Sequence, residues 1–373
     1  MKTILRPLAI TITLSAILFC FSCTEISKSR IQEYKININD IKDSLQSSIK
    51  SYSVLRLDNN PDAYFPFATK FILSESYLIF RNESKQSIII FDNSGKHINT
   101  IAKRGRGPGE YSYISDFMFD EKAKEITICD NDKLKKYSFT GEFISEQKLD
   151  SKIFKVTRMK NGNLITEKVL PTENSETNYY IRVLNDNLEE IDKRLPIINT
   201  GGPGFAIEGQ SDRTSLNKDY GYFFSYSGDT IYHIAGNNII PAYLLKYDRD
   251  VRITSTFSSR DKSNNDNAYK QLAYYEIYDK SLLFLTFRTL SYCFILDHTT
   301  GLSKSLFTRF PINGVYNNQL IVVINSMNLK RAIDRIDPKK TKCKNLSDLE
   351  NDLQNFTDDF QVIITINLDQ SKV

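Results

Sequence analysis

The sequence predicts an all-β fold, a six-bladed β-propeller with seven blades as the alternative count. Three observations carry this reading. A strand–turn–strand unit recurs at a fixed interval, aromatic residues are abundant, and each end of the mature region carries a strand with no neighbour of its own. The chain has 373 residues with 21 Tyr, 23 Phe and no Trp, and aromatic and β-branched enrichment favours strands.

The repeat is explicit. IIIFDNSGKHI (Ile88 to Ile98) is followed by LKKYSFTGEFI (Leu134 to Ile144) and YIRVLNDNLEEI (Tyr180 to Ile191). In each, an apolar strand meets a polar turn and a second strand follows. The turn positions Gly95, Gly141 and Asn187 are spaced by 46 residues at both steps. Gly and Asn reach positive φ at low cost, so each suits a hairpin bend. Looser copies are DTIYHIAGNNII (Asp229 to Ile240), turning near Asn237 or Asn238, and SYCFILDHTTGLSKSL (Ser291 to Leu306), turning at Gly301. Tyr77 to Phe80, Glu125 to Asp130 and Asn163 to Thr166 supply further short strands. Four short strands per unit of about 40 to 50 residues define a propeller blade. Dividing Ser51 to Val373 by that period gives six blades.

Closure is read from the two ends. SYSVLRL (Ser51 to Leu57) has no strand before it, and FQVIITINL (Phe360 to Leu368) has none after it. Pairing these N- and C-terminal strands within one blade closes the ring and hides its edges. Before the last strand, Asn345 to Phe356 spaces Leu346, Leu349 and Leu353 helically, with Ser347 as N-cap and Glu350 completing a capping box. A short helical insertion in the last blade is therefore expected.

At the N-terminus, Lys2 and Arg6 precede an uncharged apolar run, Leu8 to Phe21. That run is too short for a stable bilayer anchor and has the layout of a secretory signal. Its end, Ser22-Cys23, resembles a bacterial lipobox. The resemblance implies cleavage before Cys23 and diacylglycerol on its sulfur, with palmitate among the acyl chains. The expected division is a lipoprotein signal peptide over residues 1–22, a polar tether over 23–50 and the propeller over 51–373. Each buried CH₂ of the lipid contributes about 0.8 kcal/mol, so the lipid at Cys23 makes a membrane the first partner. Glu25 alone supplies an acid just after Cys23. The expected location is the outer membrane, facing the periplasm, with surface display as the alternative.

Composition narrows the chemistry. Hydrophobic residues make up 40% and charged residues 25% of the chain, ordinary values for a globular protein. The net charge of +4 falls to +2 without Lys2 and Arg6, which argues against nucleic acid as a partner. Cys129, Cys293 and Cys343 remain after the signal and the lipidated Cys23 are set aside. This odd, widely spaced set is no disulfide framework, and Cys129 and Cys293 are expected as buried thiols. His97, His233 and His298 lie far apart, each beside a turn, and are expected at the surface. No HExxH or paired Cys spacing occurs, so no metal and no cofactor is expected. Asp130-Asn131-Asp132 resembles a fragment of a calcium loop but lacks the downstream Gly and Glu, and it reads as an Asx-type turn. No GxSxG elbow is present, and no catalytic residue stands out.

One element is distinctive. RGRGPGEY, Arg104 to Tyr111, stands at the exit of the first blade. Gly105, Gly107 and Gly109 open backbone conformations closed to other residues. Pro108 fixes its own φ and pushes Gly107 towards an extended form. Glu110 is placed to cap exposed amides or to pair with Arg104 or Arg106, and Tyr111 to pack beneath the loop. A related string, GGPGF (Gly201 to Phe205), has Phe205 where the Glu would stand. The element reads either as a tight inter-blade turn or as a rim for a ligand or partner. In the second case Arg104 and Arg106 offer bidentate donors to carboxylates or sulfates. A phosphate cradle would need the Gly-Lys-Ser/Thr ending and a following helix, and both are missing.

Together with its flanks, IIIFDNSGKHINTIAK and DFMFDEKAKEITICDNDKLKKYSFTGEF, the element resembles the Bacteroidales-type six-bladed β-propeller lipoproteins. These are related in shape to the NHL-repeat propellers. FSYSGDTIYHI in mid-chain and the strand after Asp358-Asp359 extend the resemblance over most of the mature chain. It implies fold and envelope location and leaves activity open. Two functions are then in play. The first is a non-catalytic binding or scaffold module for a protein or glycan partner. The second is a propeller enzyme, a lyase or hydrolase on glycan or peptide, with acids, Asn or His converging in the channel, with or without a metal.

Overall fold

The computed structural model describes residues 31–37, 41, 43–66, 68–149, 152–153, 155–159, 161–167, 179–185, 187–196, 214–216, 221–224, 229–235, 238–248, 252–253, 268–287, 290–308, 312–325, 328 and 360–373. Three strands lead in: β1 (Gln32–Ile36), β2 (Asp43–Ser44) and β3 (Ile49–Arg56). Blade I holds β4 (Ala68–Leu73), β5 (Tyr77–Asn82), β6 (Ser87–Asp92) and β7 (His97–Ile101). Blade II holds β8 (Asp116–Asp120), β9 (Glu125–Asp130), β10 (Lys133–Ser138) and β11 (Phe143–Lys148). Blade III holds β12 (Lys155–Arg158), β13 (Leu164–Glu167), β14 (Tyr179–Leu184) and β15 (Glu190–Pro196). Blade IV holds β16 (Thr214–Leu216), β17 (Gly221–Phe224), β18 (Thr230–Ala235) and β19 (Asn238–Tyr247). Blade V holds β20 (Arg252–Ile253), β21 (Ala268–Ile277), β22 (Lys280–Phe287), β23 (Leu290–Asp297) and β24 (Ser303–Thr308). Blade VI holds β25 (Gly314–Tyr316), β26 (Gln319–Asn325), β27 (Gln361–Leu368) and, as its outer strand, β3. Six sheets make a six-bladed propeller.

The strands β4, β8 and β12 lie against one another from blade to blade, as do β16, β21 and β25. These lead strands therefore face the axis. Burial falls from the middle of a blade outward. In β6 the first five residues are buried, the near-continuous apolar run of a strand covered on both faces. In the outer strand β11 all six residues are exposed. The cores sit between blades. Ile79, Ile88 and Ile90 of blade I pack with Phe117, Ile126, Ile128 and Tyr137 of blade II.

Ring closure follows the predicted pairing. β27 and β3 run antiparallel from Val362 opposite Arg56 to Leu368 opposite Ile49. The recurring turn is also present, as the hairpin between the third and fourth strand of a blade. Gly95 and Gly141 adopt φ of +85° and +90°. Each donates its N–H back to a turn-opening residue, Asp92 or Ser138. In blade III the equivalent N–H belongs to Leu188, bonded to the Asn185 carbonyl, and Leu188 has φ of +64°. The positive-φ position is thus Leu188, one residue beyond the predicted Asn187. Asn185 Oδ1 accepts from Asn187 N–H at 3.0 Å and Glu189 N–H at 2.9 Å, as Asp92 Oδ1 accepts from Ser94 and Lys96 N–H in blade I, so the same Asx turn recurs and stands one residue later in blade III.

Part of the predicted tether is integral to the fold. β1 adds in parallel to the outer edge of blade IV, and β2 adds in parallel to blade V. Tyr34 and Ile36 are fully buried among residues of blades IV and V. Their alternation with Glu33 and Lys35 is the period-two pattern of a half-buried strand. His298 likewise departs from the predicted surface position. Tyr34 Oη lies 2.7 Å from its Nδ1, Ser281 Oγ lies 2.6 Å from its Nε2, and Tyr243 stacks on the ring at 4.6 Å. Burial holds its pKa below the usual histidine value. His97 and His233 are also partly buried. Cys129 and Cys293 are buried free thiols, as expected. The helical insertion at 345–356, the GGPGF string, Cys343 and Cys23 lie outside the described residues.

Candidate rim site on the crossing face

Strand order gives the ring two faces. Turns from first to second and from third to fourth strand lie on one, the hairpin face. Turns from second to third strand, and the crossings between blades, lie on the other, the crossing face. The Arg104–Tyr111 element links β7 to β8, so it belongs to the crossing face.

Its local order comes from the chain itself. Arg104 and Tyr111 form an isolated parallel bridge. Gly105 N–H donates to Tyr111 O at 2.9 Å, Tyr111 N–H to Lys103 O at 3.0 Å, and Glu110 N–H to Gly107 O at 3.1 Å. Glu110 takes the capping role: its Oε2 accepts from Gly107 N–H at 2.8 Å. That carboxylate fills the amide an external phosphate would need, a second argument against a phosphate cradle. Gly109 has φ of +73°, and a Cβ there would meet the Phe143 ring at 2.9 Å.

Beneath the loop, Tyr111 is fully buried. Its hydroxyl proton is shared between the carbonyls of Gln86 (2.8 Å) and Ile101 (3.0 Å), and its oxygen accepts from Lys103 N–H at 3.1 Å. Burial pushes its pKa up to about 12. Tyr137 donates to Gly109 O at 3.0 Å. Lys135, buried on β10, donates to the Glu110 carbonyl. It also pairs with Asp130 Oδ2 at 3.1 Å and Glu146 Oε2 at 3.4 Å. Asp130 accepts from Ser112 Oγ at 2.6 Å and from Tyr113 N–H at 3.1 Å. Burial alone would raise the Asp130 pKa, but the Ser112 hydroxyl and amide, Lys135 and Tyr113 N–H outweigh it and hold the carboxyl below its usual range. Asp130 is thus an internal anchor of the crossing. In the hairpin that it opens, Asn131 takes φ of +57°.

On the outside, Arg104, Arg106, Gly107 and Pro108 are exposed. Among the described residues, neither guanidinium makes an ion pair or hydrogen bond, so Glu110 serves the loop backbone and leaves both arginines unneutralised. Phe143 and Ile144, 39% and 46% exposed, lie on the neighbouring outer strand, and Phe143 borders Gly109. The supporting residues Gln86, Lys135 and Tyr137 escaped the sequence reading, and Asp130 was read there only as a turn residue. A lysine within a short strand carries no local signal that its amine faces a buried carboxylate.

Nearer the axis, Lys70 of β4 and Asp116 of β8 pair at 2.9 Å, and Asp116 Oδ2 accepts Val156 N–H of β12 at 3.0 Å. This clasp ties three successive blades. Among the described residues, no group of three or more His, Cys, Asp or Glu side chains is placed to hold a metal ion. Among the described residues, no helix is long and apolar enough to cross a membrane.

Fold and rim define a six-bladed β-propeller with an ordered, cationic inter-blade loop. The chain belongs to the family described as a domain of unknown function, DUF4934, which matches residues 32–364. It is similar to the crystal structure of a Bacteroides fragilis NCTC 9343 protein named as exported. That match has a TM-score of 0.69 and 17% identity, over 91% of this chain and 99% of the other. It is also similar to a member of the DUF4221 family from Bacteroides vulgatus ATCC 8482. There the TM-score is 0.53 and the identity 10%, over 85% of this chain and 96% of the other. No curated protein matches the sequence.

Proposed function

We propose that the protein is an exported, non-catalytic binding or scaffold module, held at the outer membrane through lipid on Cys23, whose working surface is the rim around Arg104 and Arg106. One observation carries the rim assignment: two exposed guanidinium groups have no partner among the described residues, on a loop whose backbone is tied down from beneath by buried side chains. Preorganised arginines beside exposed aromatic and aliphatic side chains match the composition of protein-recognition hot spots. The partner is a protein segment presenting carboxylates. The axial clasp of Lys70, Asp116 and Val156 supports this reading over the enzyme, because Lys70 and Asp116 are spent on holding the blades together. The signal-peptide layout supports export and the lipobox-like Ser22-Cys23 supports lipidation, in line with the NHL-like lipoproteins that the sequence resembles.

A photo-crosslinking residue at position 107, in cells, is expected to give a discrete adduct. The Arg104→Ala/Arg106→Ala double variant should lose it with an unchanged melting temperature, since both side chains are exposed and unpaired. An adduct that survives the double substitution overturns the rim assignment. Cys23→Ala is expected to abolish palmitate labelling and release the chain from the membrane fraction; a labelled, membrane-bound variant overturns the lipid anchor.

A further inference from the structure

We propose that the hairpin face carries a second ligand site, a saccharide cleft at the closure seam that stacks an acidic sugar on Tyr278 and holds its anionic group at Lys50. A cleft of about 510 Å³ lies there, lined by Lys50, Ser51, Tyr278, Asn367, Leu368, Asp369 and Gln370. The volume suits one or two sugar rings, within the range of small-molecule sites.

Two independent observations point to a ligand. First, Tyr278 is 41% exposed and sits at φ of +54° at the tip of the β21–β22 hairpin. Left-handed backbone is uncommon for a bulky residue, and Asn or Gly is the usual occupant. The other non-Gly residues with positive φ among those described are Gln86, Lys124, Asn131, Leu188, Asn317 and Asn318, so Tyr278 is the one aromatic side chain so placed. The conformation is held from blade VI, where Asn318 Oδ1 accepts Tyr278 N–H at 2.7 Å. Backbone strain maintained to present an exposed ring at a cleft is the pattern of a binding position.

Second, the polar groups of the cleft divide into committed and uncommitted sets. Asn367 donates to Ser51 Oγ at 3.1 Å and accepts from Gln319 at 2.9 Å. Asp369 accepts from Ser371 Oγ at 2.7 Å and lies 3.6 Å from Lys372. These groups hold the walls. Among the described residues, the Lys50 ammonium, the Tyr278 hydroxyl and the Gln370 amide make no hydrogen bond or ion pair. A flat ring, a free cation and a free amide, with the wall carboxylate already compensated, match a pyranose bearing a carboxylate or sulfate. The sugar's C–H face lies on the aromatic ring, its hydroxyls meet the amide and its anion meets the ammonium.

The site does not rest on the rim reading, and the test separates the two. The purified full chain is titrated by calorimetry with tetragalacturonate and, as an uncharged control, with its methyl ester. Tetragalacturonate is expected to bind in the millimolar range or tighter. Lys50→Met and Tyr278→Asn should each weaken it by about tenfold or more, and Arg104→Ala/Arg106→Ala should leave it unchanged. Tyr278→Asn should melt at or above the wild-type temperature, because Asn accepts the left-handed backbone more readily, so its loss of binding is not misfolding. Absence of binding by either oligosaccharide overturns the site, as does wild-type affinity in Tyr278→Asn or dependence on the two arginines. Equal binding of the ester overturns the acidic assignment.

Discussion

Ile364→Asp is expected to leave no cooperative unfolding transition. Ile364 is fully buried in the core of blades V and VI. It lies in the middle of β27, between Val322 of β26 and Val54 of β3. β27 is the third strand of blade VI, and the outer strand is supplied from the other end of the chain. A carboxylate at this point must either remain charged without a partner or take up a proton, at a cost of several kcal/mol. Total stability of a folded domain is only about 5–15 kcal/mol. The loss also falls on the seam, where β26 and β3 depend on the same strand for their pairing. Ile364→Val provides the contrast, with an expected loss of about 0.5–1.5 kcal/mol and a retained transition. Scanning calorimetry on both variants is the measurement. A wild-type transition in Ile364→Asp would show that the ring does not depend on this seam.

The second large effect lies under the rim. Lys135→Ala is expected to destabilise the fold by about 3–5 kcal/mol, because removing one partner of a buried pair strands the other charge. Side-chain exposure of Lys135 and Asp130 is 7% and 5%, so solvent screens neither. The double variant Lys135→Met/Asp130→Asn should recover most of that loss, since it removes the charge instead of stranding it. The pH dependence follows from the depressed Asp130 pKa. A depressed folded-state pKa contributes stability above the unfolded value, and the contribution disappears as pH falls through the folded value. The wild type should therefore weaken on acidification below the ordinary carboxylate range, and Asp130→Asn should weaken less. In Lys135→Ala the carboxyl loses its cation, so its folded-state pKa moves back toward the unfolded value, and its acid-induced loss of stability should be smaller and complete at higher pH. Urea unfolding from pH 7 to pH 3 measures all three. Coincident pH profiles for the wild type and Asp130→Asn would remove Asp130 from the account.

The rim shows where sequence reasoning reaches and where it stops. Glu110 as an amide cap and Tyr111 as the packing residue follow from the loop's own composition, because both act within a few residues of themselves. Asp130 was legible only as a turn residue. Its partners Ser112 and Lys135 come from a different loop and the next strand, and neither approach is written in local spacing. His298 was misread for the same reason. A histidine beside a turn looks exposed until Tyr34, over 260 residues away, is found at 2.7 Å.

By itself the sequence determined the blades. Strand periodicity, turn residues and the unpaired terminal strands are local signals, and the backbone obeys them because each hairpin forms within its own segment. Even there, the blade III turn stands one residue later, its positive φ falling on Leu188, three residues after Asn185 as Gly95 stands three after Asp92. Tertiary structure alone decided what the ring does with its charges and its N-terminal segment. Whether an arginine is free or an aspartate is anchored depends on distances across blades. The same holds for β1 and β2, whose pairing partners lie more than 200 residues further along the chain. Burial and pairing at that range arise only when the six sheets come together around one axis.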